Sequence, residues 1–459
     1  MTAPARAAAH RMLRAVNTGR ADLATAQARA TGALADPRDR ALAAEIAVGV
    51  LRWRARLDHL LAHVSSRPLH RVDPDILDIL RAGAHQILHL QRVPDHAAVD
   101  DAVALTRRAR KTSAAGFVNA VLRALAGRPP LAALPARPAA APGAGEPDRE
   151  QALAYLSISQ SHPRWLVERW LDRYGFAAAD RWTSFNNTPA PMTLRVNTIR
   201  TSVQELTAQL EARGVEVVAG RWSPRTLVVR RGNPLATDLA GQGLFLAQDE
   251  ASQLVAEVVA AQPGQRVLDA CAAPGGKTVA IAGGMSNRGL ILAADLRPAR
   301  VALLARTLAA CGCRCARVVR LDARRSLPFR ALFDQVLVDA PCSGLGTLRR
   351  DPDIRWRCAP GDLPGLAANQ AALLRSAAAT VAPGGRLIYA TCSSEPEENQ
   401  LVVDELLAGG APFTPERAAG GALAPLVDAN GRFQTLPHRD ALEAFFAVVL
   451  RRRHMRYTS

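Results

Sequence analysis

Arg266-Val267-Leu268-Asp269-Ala270-Cys271-Ala272-Ala273-Pro274-Gly275-Gly276-Lys277-Thr278 decides the fold. A short apolar run closed by an acid reads as a buried strand, and Lys277 to Ala282 reads as helix. The two glycines between them allow a ligand to approach the backbone closely. The ending Gly-Gly-Lys-Thr invites a phosphate-cradling reading, but G-x-x-x-x-G-K-[ST] needs glycine five positions before Gly276, where Cys271 stands. Downstream the alternation repeats: strands at Leu290 to Asp295, Cys315 to Leu321, Gln335 to Ala340 and Gly385 to Thr391, with helices at Pro298 to Ala310 and Gly365 to Val381. This predicts an α/β domain over residues 248–459, built on a doubly wound parallel sheet covered on both faces. In such sheets ligands sit beyond the carboxyl ends of the strands.

The residues at those ends are chemically specific. Asp269 and Asp295 close the first two strands, and Asp295 follows Gly276 by 19 residues, near the spacing at which an acid reaches a ribose diol. Asp322 and Asp339 close the next two. Four such acids suit a nucleoside-shaped ligand, with ribose at Asp295 and adenine near Asp322, or they are isolated turn residues. Cys342, in Asp339-Ala340-Pro341-Cys342-Ser343, and Cys392, in Thr391-Cys392-Ser393, share this edge and read as nucleophiles.

Working toward the N-terminus, residues 150–247 mix short alternating strands, at Thr193 to Asn197 and Arg225 to Val229, with a helix at Ser202 to Arg213. They form a small α/β or α+β module. Residues 129–149 are rich in Pro, Ala and Gly and read as a linker. Residues 1–128 show apolar positions at helical spacing in Leu42 to Val64, Ile76 to Leu90 and Ala97 to Leu105, which predicts an all-helical domain. That domain holds 20 basic against 11 acidic residues, and Arg107, Arg108, Arg110 and Lys111 are its sharpest basic run.

The whole chain, 459 residues with 58 basic and 41 acidic side chains, carries +17, which suits RNA, DNA or an anionic membrane as partner. No run of 18 apolar residues and no apolar leader is present, so no membrane span is expected and the cytosol is the expected compartment. The seven cysteines show no disulfide spacing, and Cys311, Cys313 and Cys315 lack a nearby histidine, so no metal site is expected. Lysine occurs at 111 and 277 alone, and its retention at Lys277 points to a compact ammonium in a tight site.

Together, DACAAPGGKT at 269–278, DAPCSGLGTLRRDPDIRW at 339–356 and YATCS at 389–393 resemble the RNA cytosine-5 methyltransferases that use S-adenosylmethionine. LRVNTIR at 194–200, QDEASQL at 248–254 and AFFAVVLRR at 444–452 are similar to other segments of that family. GVLRWR at 49–54, RVPDHAAVDDAV at 92–103 and GFVNAVLR at 116–123 resemble a NusB-like RNA-binding domain. The resemblance covers nearly the whole chain apart from the linker. It implies a Rossmann-like class I methyltransferase domain behind an all-α NusB-like domain. The combination resembles the subgroup acting on bacterial 16S rRNA, at cytosine 967 in the standard numbering.

By the family's pattern Cys392 is the nucleophile that adds to carbon 6 of cytosine, and Cys342 serves product release. Asp339 is implied to hydrogen-bond N3 and N4 of the ring, and Lys277 to help hold Cys392 as thiolate. The implied cofactor set is Asp269, Cys271, Ala272, Ala273, Pro274, Gly275, Gly276, Lys277, Asp295, Arg300, Asp322, Asp339 and Pro341. Besides the basic run at 107–111, the expected RNA contacts are Arg349, Arg350, Arg355 and Trp356, with 16S rRNA as partner and the protein a monomer. Arg297 and Ala323 depart from the usual pattern, which has a second acid and a glycine there. Two alternatives stand: the same chemistry on another RNA such as tRNA, and a non-catalytic NusB-type RNA-binding factor.

Overall fold

The computed structural model describes residues 3–139, 146–329, 332–418 and 420–454, so part of the 129–149 linker lies outside the described residues. The chain forms two compact units: Met1–Pro189 with Leu348–Cys358, and Ala190–Thr347 with Ala359–Ser459.

The first unit is helical: α1 (Pro4–Asn17), α2 (Leu23–Thr31), α3 (Pro37–Val64), α4 (Pro74–His89), α5 (Asp95–Arg108), α6 (Ala115–Gly127), α7 (Arg149–Ala154) and α8 (Arg164–Asn187). Local signals set the starts. At Asp36-Pro37 and Asp73-Pro74 the carboxylate accepts a backbone N–H two residues on, and proline fills the first helical position, where no N–H is needed. Met12, Leu13, Ile46, Leu51, Leu57, Leu60 and Leu61 meet in the core with less than 2% of their surface exposed. Helices α7 and α8 cluster with this unit.

The second unit opens with β1 (Thr193–Val196), α9 (Val203–Glu211), β2 (Glu216–Ala219), β3 (Thr226–Arg231) and β4 (Phe245–Ala247), an antiparallel sheet in the order β2-β3-β1-β4. Ser202 and Glu205 cap α9 reciprocally, each side chain taking the other's backbone N–H. Helix α10 (Glu250–Val259) leads into the large sheet: β5 (Arg266–Asp269), α11 (Gly276–Gly284), β6 (Leu290–Asp295), α12 (Pro298–Ala310), β7 (Ala316–Arg320) and β8 (Phe333–Asp339). After α13 (Ile354–Arg357), which belongs to the first unit, come α14 (Leu363–Ala378), β9 (Val381–Thr391), α15 (Gln400–Ala408), β10 (Phe413–Glu416), β11 (Phe433–Thr435), α16 (Pro437–Asp440) and β12 (Phe445–Arg452).

The order is β10-β12-β9-β8-β5-β6-β7, with β11 beside β12. Strands β5 to β9 are parallel, as the alternation predicts. Beyond them the β10, β11 and β12 edge, for which the sequence sets no direction, is antiparallel. A parallel β12 beside β9 would need its crossover to return to β9's starting end, whereas the chain re-enters from the other end. The parallel centre places the ends of β5, β8 and β9 side by side, which assembles the site.

The segment just past the Cys342 loop corrects an expectation. Arg355 is 1% exposed, and its guanidinium donates to the carbonyls of Arg52, Ser161 and Asn186 and to Asn187 Oδ1, at 2.9 to 3.0 Å. Trp356 Nε1 donates to Leu51 O at 2.6 Å, and the ring packs on the helical core. Arg349 donates to the Thr188 and Pro189 carbonyls and lies 4.4 Å from the Phe185 ring centroid. Arg349, Arg355 and Trp356 therefore act as struts, because carbonyls at the Trp53 kink of α3 and at the end of α8 need donors that helical pairing does not supply. Arg355→Ala is expected to destabilise this unit by about 3 kcal/mol. Faster amide exchange in α3 and α8 is the readout, and unchanged exchange contradicts the strut.

Candidate active site

The loop from Cys271 to Gly275 leaves β5 and turns into α11. Gly275 has φ of +109°, and a Cβ there would meet Leu304 and Thr307 at 3.0 to 3.2 Å, so glycine lets the loop lie flat on α12. The loop and its surroundings enclose a cavity of about 320 Å³, whose wall takes in Asp269, Cys271 to Pro274, Gly276, Lys277 and Asp339. Leu246, Ala247, Gln248, Ser252 and Thr307, which sequence reading did not single out as site residues, complete it.

Electrostatics divide this wall. Asp269 is 1% exposed, and its Oδ2 accepts from Thr278 Oγ1 at 2.7 Å while Oδ1 has no protein partner. Burial pushes its carboxyl up to about 7, against the Thr278 bond. An acid raised on folding contributes stability that is full below its unfolded value, near 3.8, and is lost as pH rises through about 7. The melting temperature should therefore fall from pH 6 to pH 8, and Asp269→Asn should flatten that fall. An equal fall in the variant contradicts the assignment. Gln248 Oε1 is a second buried acceptor without a protein partner. Burial also pushes the Cys271 thiol far up, which makes it lining rather than nucleophile.

Lys277 Nζ contacts Asp339 Oδ2 at 2.8 Å and donates to Ser252 Oγ at 3.1 Å, 5.7 Å from the Phe445 ring centroid. Burial opposes the ammonium, but Asp339, with Cys392 and Asp269, outweighs it and holds Lys277 above the ordinary lysine value.

Beside this pair stand the two thiols. Asp339 of β8 is in register with Ala390 of β9, and Ala340 N donates to Ala390 O at 2.8 Å. The chains continue from these neighbouring strand ends to Cys342 and Cys392, whose Sγ atoms lie 3.2 Å apart. The bond to Cys392 and burial raise the Cys342 thiol well above its ordinary value. Gly346 N donates to Cys392 O at 2.9 Å, and a Cβ on Gly346 would sit 2.0 Å from Ala444 O, so only glycine lets this loop close on β12.

Other expected residues lie off the cavity wall. Arg300 contacts Asp295 Oδ2 at 3.1 Å and donates to Ala273 O at 2.5 Å, tying the second strand end to the loop. Asp322 is engaged by Arg324 at 2.8 and 2.9 Å, and that bond holds its carboxyl down at about 2. Pro341 is exposed at the start of the Cys342 loop. Arg107, Arg108 and Arg110 are exposed at the end of α5, Lys111 is paired with Asp73 at 2.6 Å, and Arg350 is half-buried. Cys311, Cys313 and Cys315 are buried in the core. Among the described residues no cluster of three His, Cys, Asp or Glu side chains is placed to hold a metal, and no helix is long and apolar enough to cross a membrane.

Comparison with known proteins agrees with this architecture. Residues 256–451 match the model of the 16S rRNA methyltransferase RsmB/F family, residues 3–127 that of the NusB family, and residues 162–236 the RsmF/B-like ferredoxin-like domain. The chain is 33% identical to the probable ribosomal RNA small subunit methyltransferase B of Bacillus subtilis, over 90% of this chain and 91% of that protein. It is 34% identical to ribosomal RNA small subunit methyltransferase B of Pseudomonas putida, over 88% of each. The solved structure of PH0851, 24% identical, superposes with a TM-score of 0.79 over 98% of this chain and 99% of that one, which shows the shared fold. With a NusB-like start, a ferredoxin-like module and a Rossmann-like methyltransferase domain in that order, the chain belongs to the RsmB/F family of 16S rRNA methyltransferases.

Proposed function

We propose that the protein methylates carbon 5 of one cytosine in 16S rRNA, cytosine 967 in the standard numbering, through a covalent adduct between Cys392 and carbon 6. The observation that carries this reading is the pair of thiols 3.2 Å apart, on strand ends next to the Lys277 and Asp339 pair. S-adenosylmethionine, when bound, supplies an electrophilic methyl group. The residues present fit it: Gln248 and Asp269, both on the cavity wall, each keep an acceptor oxygen without a protein partner, which suits a ligand that carries donors.

Carbon 5 of cytosine is a weak nucleophile. Addition of the Cys392 thiolate to carbon 6 forms a C–S bond and pushes an electron pair toward carbon 5, which then takes the methyl group. Lys277, held above the ordinary lysine value, keeps an ammonium at this site. Asp339 is placed to hydrogen-bond the N3 and N4 edge of the ring, where charge builds during addition. Release requires the carbon 5 proton to pass to Cys342 acting as base, while the C–H pair becomes the C5–C6 double bond and the C–S pair returns to Cys392. Cys342, touching Cys392, serves that step.

The target base must leave its stack to reach a thiol. The helical residues 1–128, with Arg107, Arg108 and Arg110 exposed, and the small module within 150–247 hold the flanking RNA, and the protein works as a cytoplasmic monomer. The test is methyl transfer from labelled S-adenosylmethionine to unmodified 16S rRNA, tRNA and 23S rRNA, mapped by bisulfite sequencing. One 5-methylcytosine, in 16S rRNA, is expected. Label only in tRNA or 23S rRNA overturns the target, and label in none overturns the chemistry.

A further inference from the structure

Between Cys392 and α15 runs Ser393-Ser394-Glu395-Pro396-Glu397-Glu398-Asn399, an acidic stretch that surface composition alone would assign to a solvated loop. Glu398 is instead completely buried. A buried carboxylate is costly unless its oxygens are saturated by donors. Here they are: Oε1 accepts from Ser343 N at 2.8 Å and Gln370 Nε2 at 2.9 Å, and Oε2 accepts from the hydroxyls of Ser343 and Ser393, each at 2.5 Å.

Those two serines immediately follow Cys342 and Cys392. One carboxylate oxygen thus holds the residue after each thiol, and the two hydroxyls stand 3.3 Å apart. Gln370 Nε2 also donates to Pro341 O at 3.0 Å, so the same cluster grips the residue before Cys342. Asn399 finishes the job on the other side. Its Nδ2 donates to Ser393 O at 3.0 Å, and its Oδ1 accepts from Thr391 Oγ1, so it brackets Cys392. Tyr389 OH donates to the Glu398 carbonyl at 2.5 Å, anchoring the clamp to β9.

We propose that Glu398, supported by Asn399, is a positioning residue that locks the Cys342 and Cys392 loops together and so sets the thiol-to-thiol register on which adduct formation and release depend. The proposal rests on the adduct chemistry above. Four charge-assisted bonds from one rigid group fix two loops more tightly than neutral pairs could. Adduct chemistry is sensitive at this scale, since a misplacement of about 1 Å can cost about 100-fold in rate. The arrangement is chemically economical: one buried carboxylate and the two serines it holds define where the sulfurs stand.

Two measurements on the full-length protein test this. The first, without RNA, is the rate at which diamide, a two-electron oxidant, converts the Cys342 and Cys392 thiols into a disulfide, read by peptide mass mapping. The second is single-turnover methyl transfer to 16S rRNA, with S-adenosylmethionine affinity and the KM for RNA alongside. Glu398→Ala is expected to slow both cross-linking and transfer by about 100-fold, with affinity and KM within about twofold of wild type. Glu398→Gln keeps the shape, and its amide can donate to serine hydroxyls turned to accept, so it should recover most of the cross-linking rate. Cross-linking and transfer by Glu398→Ala within about threefold of wild type overturn the clamp. Loss of S-adenosylmethionine binding in both variants also overturns it, because the carboxylate then serves folding at large. A wild-type protein that transfers no methyl overturns the adduct reading instead, and the RNA-free cross-link still judges the clamp.

Discussion

Cys392→Ala abolishes methyl transfer and leaves S-adenosylmethionine affinity within about threefold of wild type, if the sulfur is the group that activates the ring. Cys392 stands at the carboxyl end of β9 and is absent from the wall of the cavity at the β5 loop, so its removal takes nothing from that wall. Without a thiolate on carbon 6, carbon 5 has no electron pair to offer, and correct placement of base and methyl donor cannot compensate. The expected loss is about four powers of ten or more, the scale seen when a covalent nucleophile is removed and only binding and polar stabilisation remain. Filter binding of RNA and calorimetry of the methyl donor against the alanine variant separate this from misfolding. Residual transfer above about 1% of wild type assigns the nucleophile elsewhere.

Cys342→Ala has the opposite signature. Addition and methyl transfer proceed, because Cys392, Lys277 and Asp339 are intact, but release has lost its partner group. The protein accumulates bonded to methylated RNA, visible as a band of slow mobility that survives denaturant and reports one RNA per chain. Release should slow by about 100-fold or more, the usual worth of a positioned acid or base. The sulfur contact of 3.2 Å explains why the effect is on release: the group that turns over is within reach of the sulfur that must leave. A Cys342→Ala protein that turns over freely contradicts the role, and one that forms neither adduct nor product places Cys342 in the addition step. Glu398→Ala differs from both, since it displaces two intact thiols.

Most of the arrangement of the candidate site was legible from residue order because strand ends in a parallel sheet are set by chain alternation. Asp269, Asp339, Cys342 and Cys392 each follow a short apolar run, and the alternation alone brings them to one edge. What stayed hidden depends on partners distant in sequence. Arg355 reads as a surface arginine among other arginines, and only the carbonyls of Arg52, Ser161 and Asn186, 169 or more residues away, make it a buried strut. Glu398 sits in an acidic run of the kind that is ordinarily solvated, and its burial follows from donors on Ser343 and Gln370. A signal was present, since six polar residues between 393 and 399 interrupt the passage from an apolar strand to an apolar helix where a short turn would do. Gln248 and Ser252 are four residues apart where β4 gives way to α10, a spacing that points both toward one ligand, yet no local pattern says which face is lined. The antiparallel edge was illegible for a related reason: strand direction is a property of the crossover, and the stretch from β10 to β12 contains no long helix to mark one.

The most direct test of the central claim is to isolate the Cys342→Ala protein bonded to 16S rRNA, digest protein and RNA, and identify by mass spectrometry which cysteine carries the nucleotide. The account predicts a single modified peptide, with 5-methylcytidine attached through Cys392. A nucleotide on any other cysteine, or an adduct through a residue other than cysteine, contradicts it.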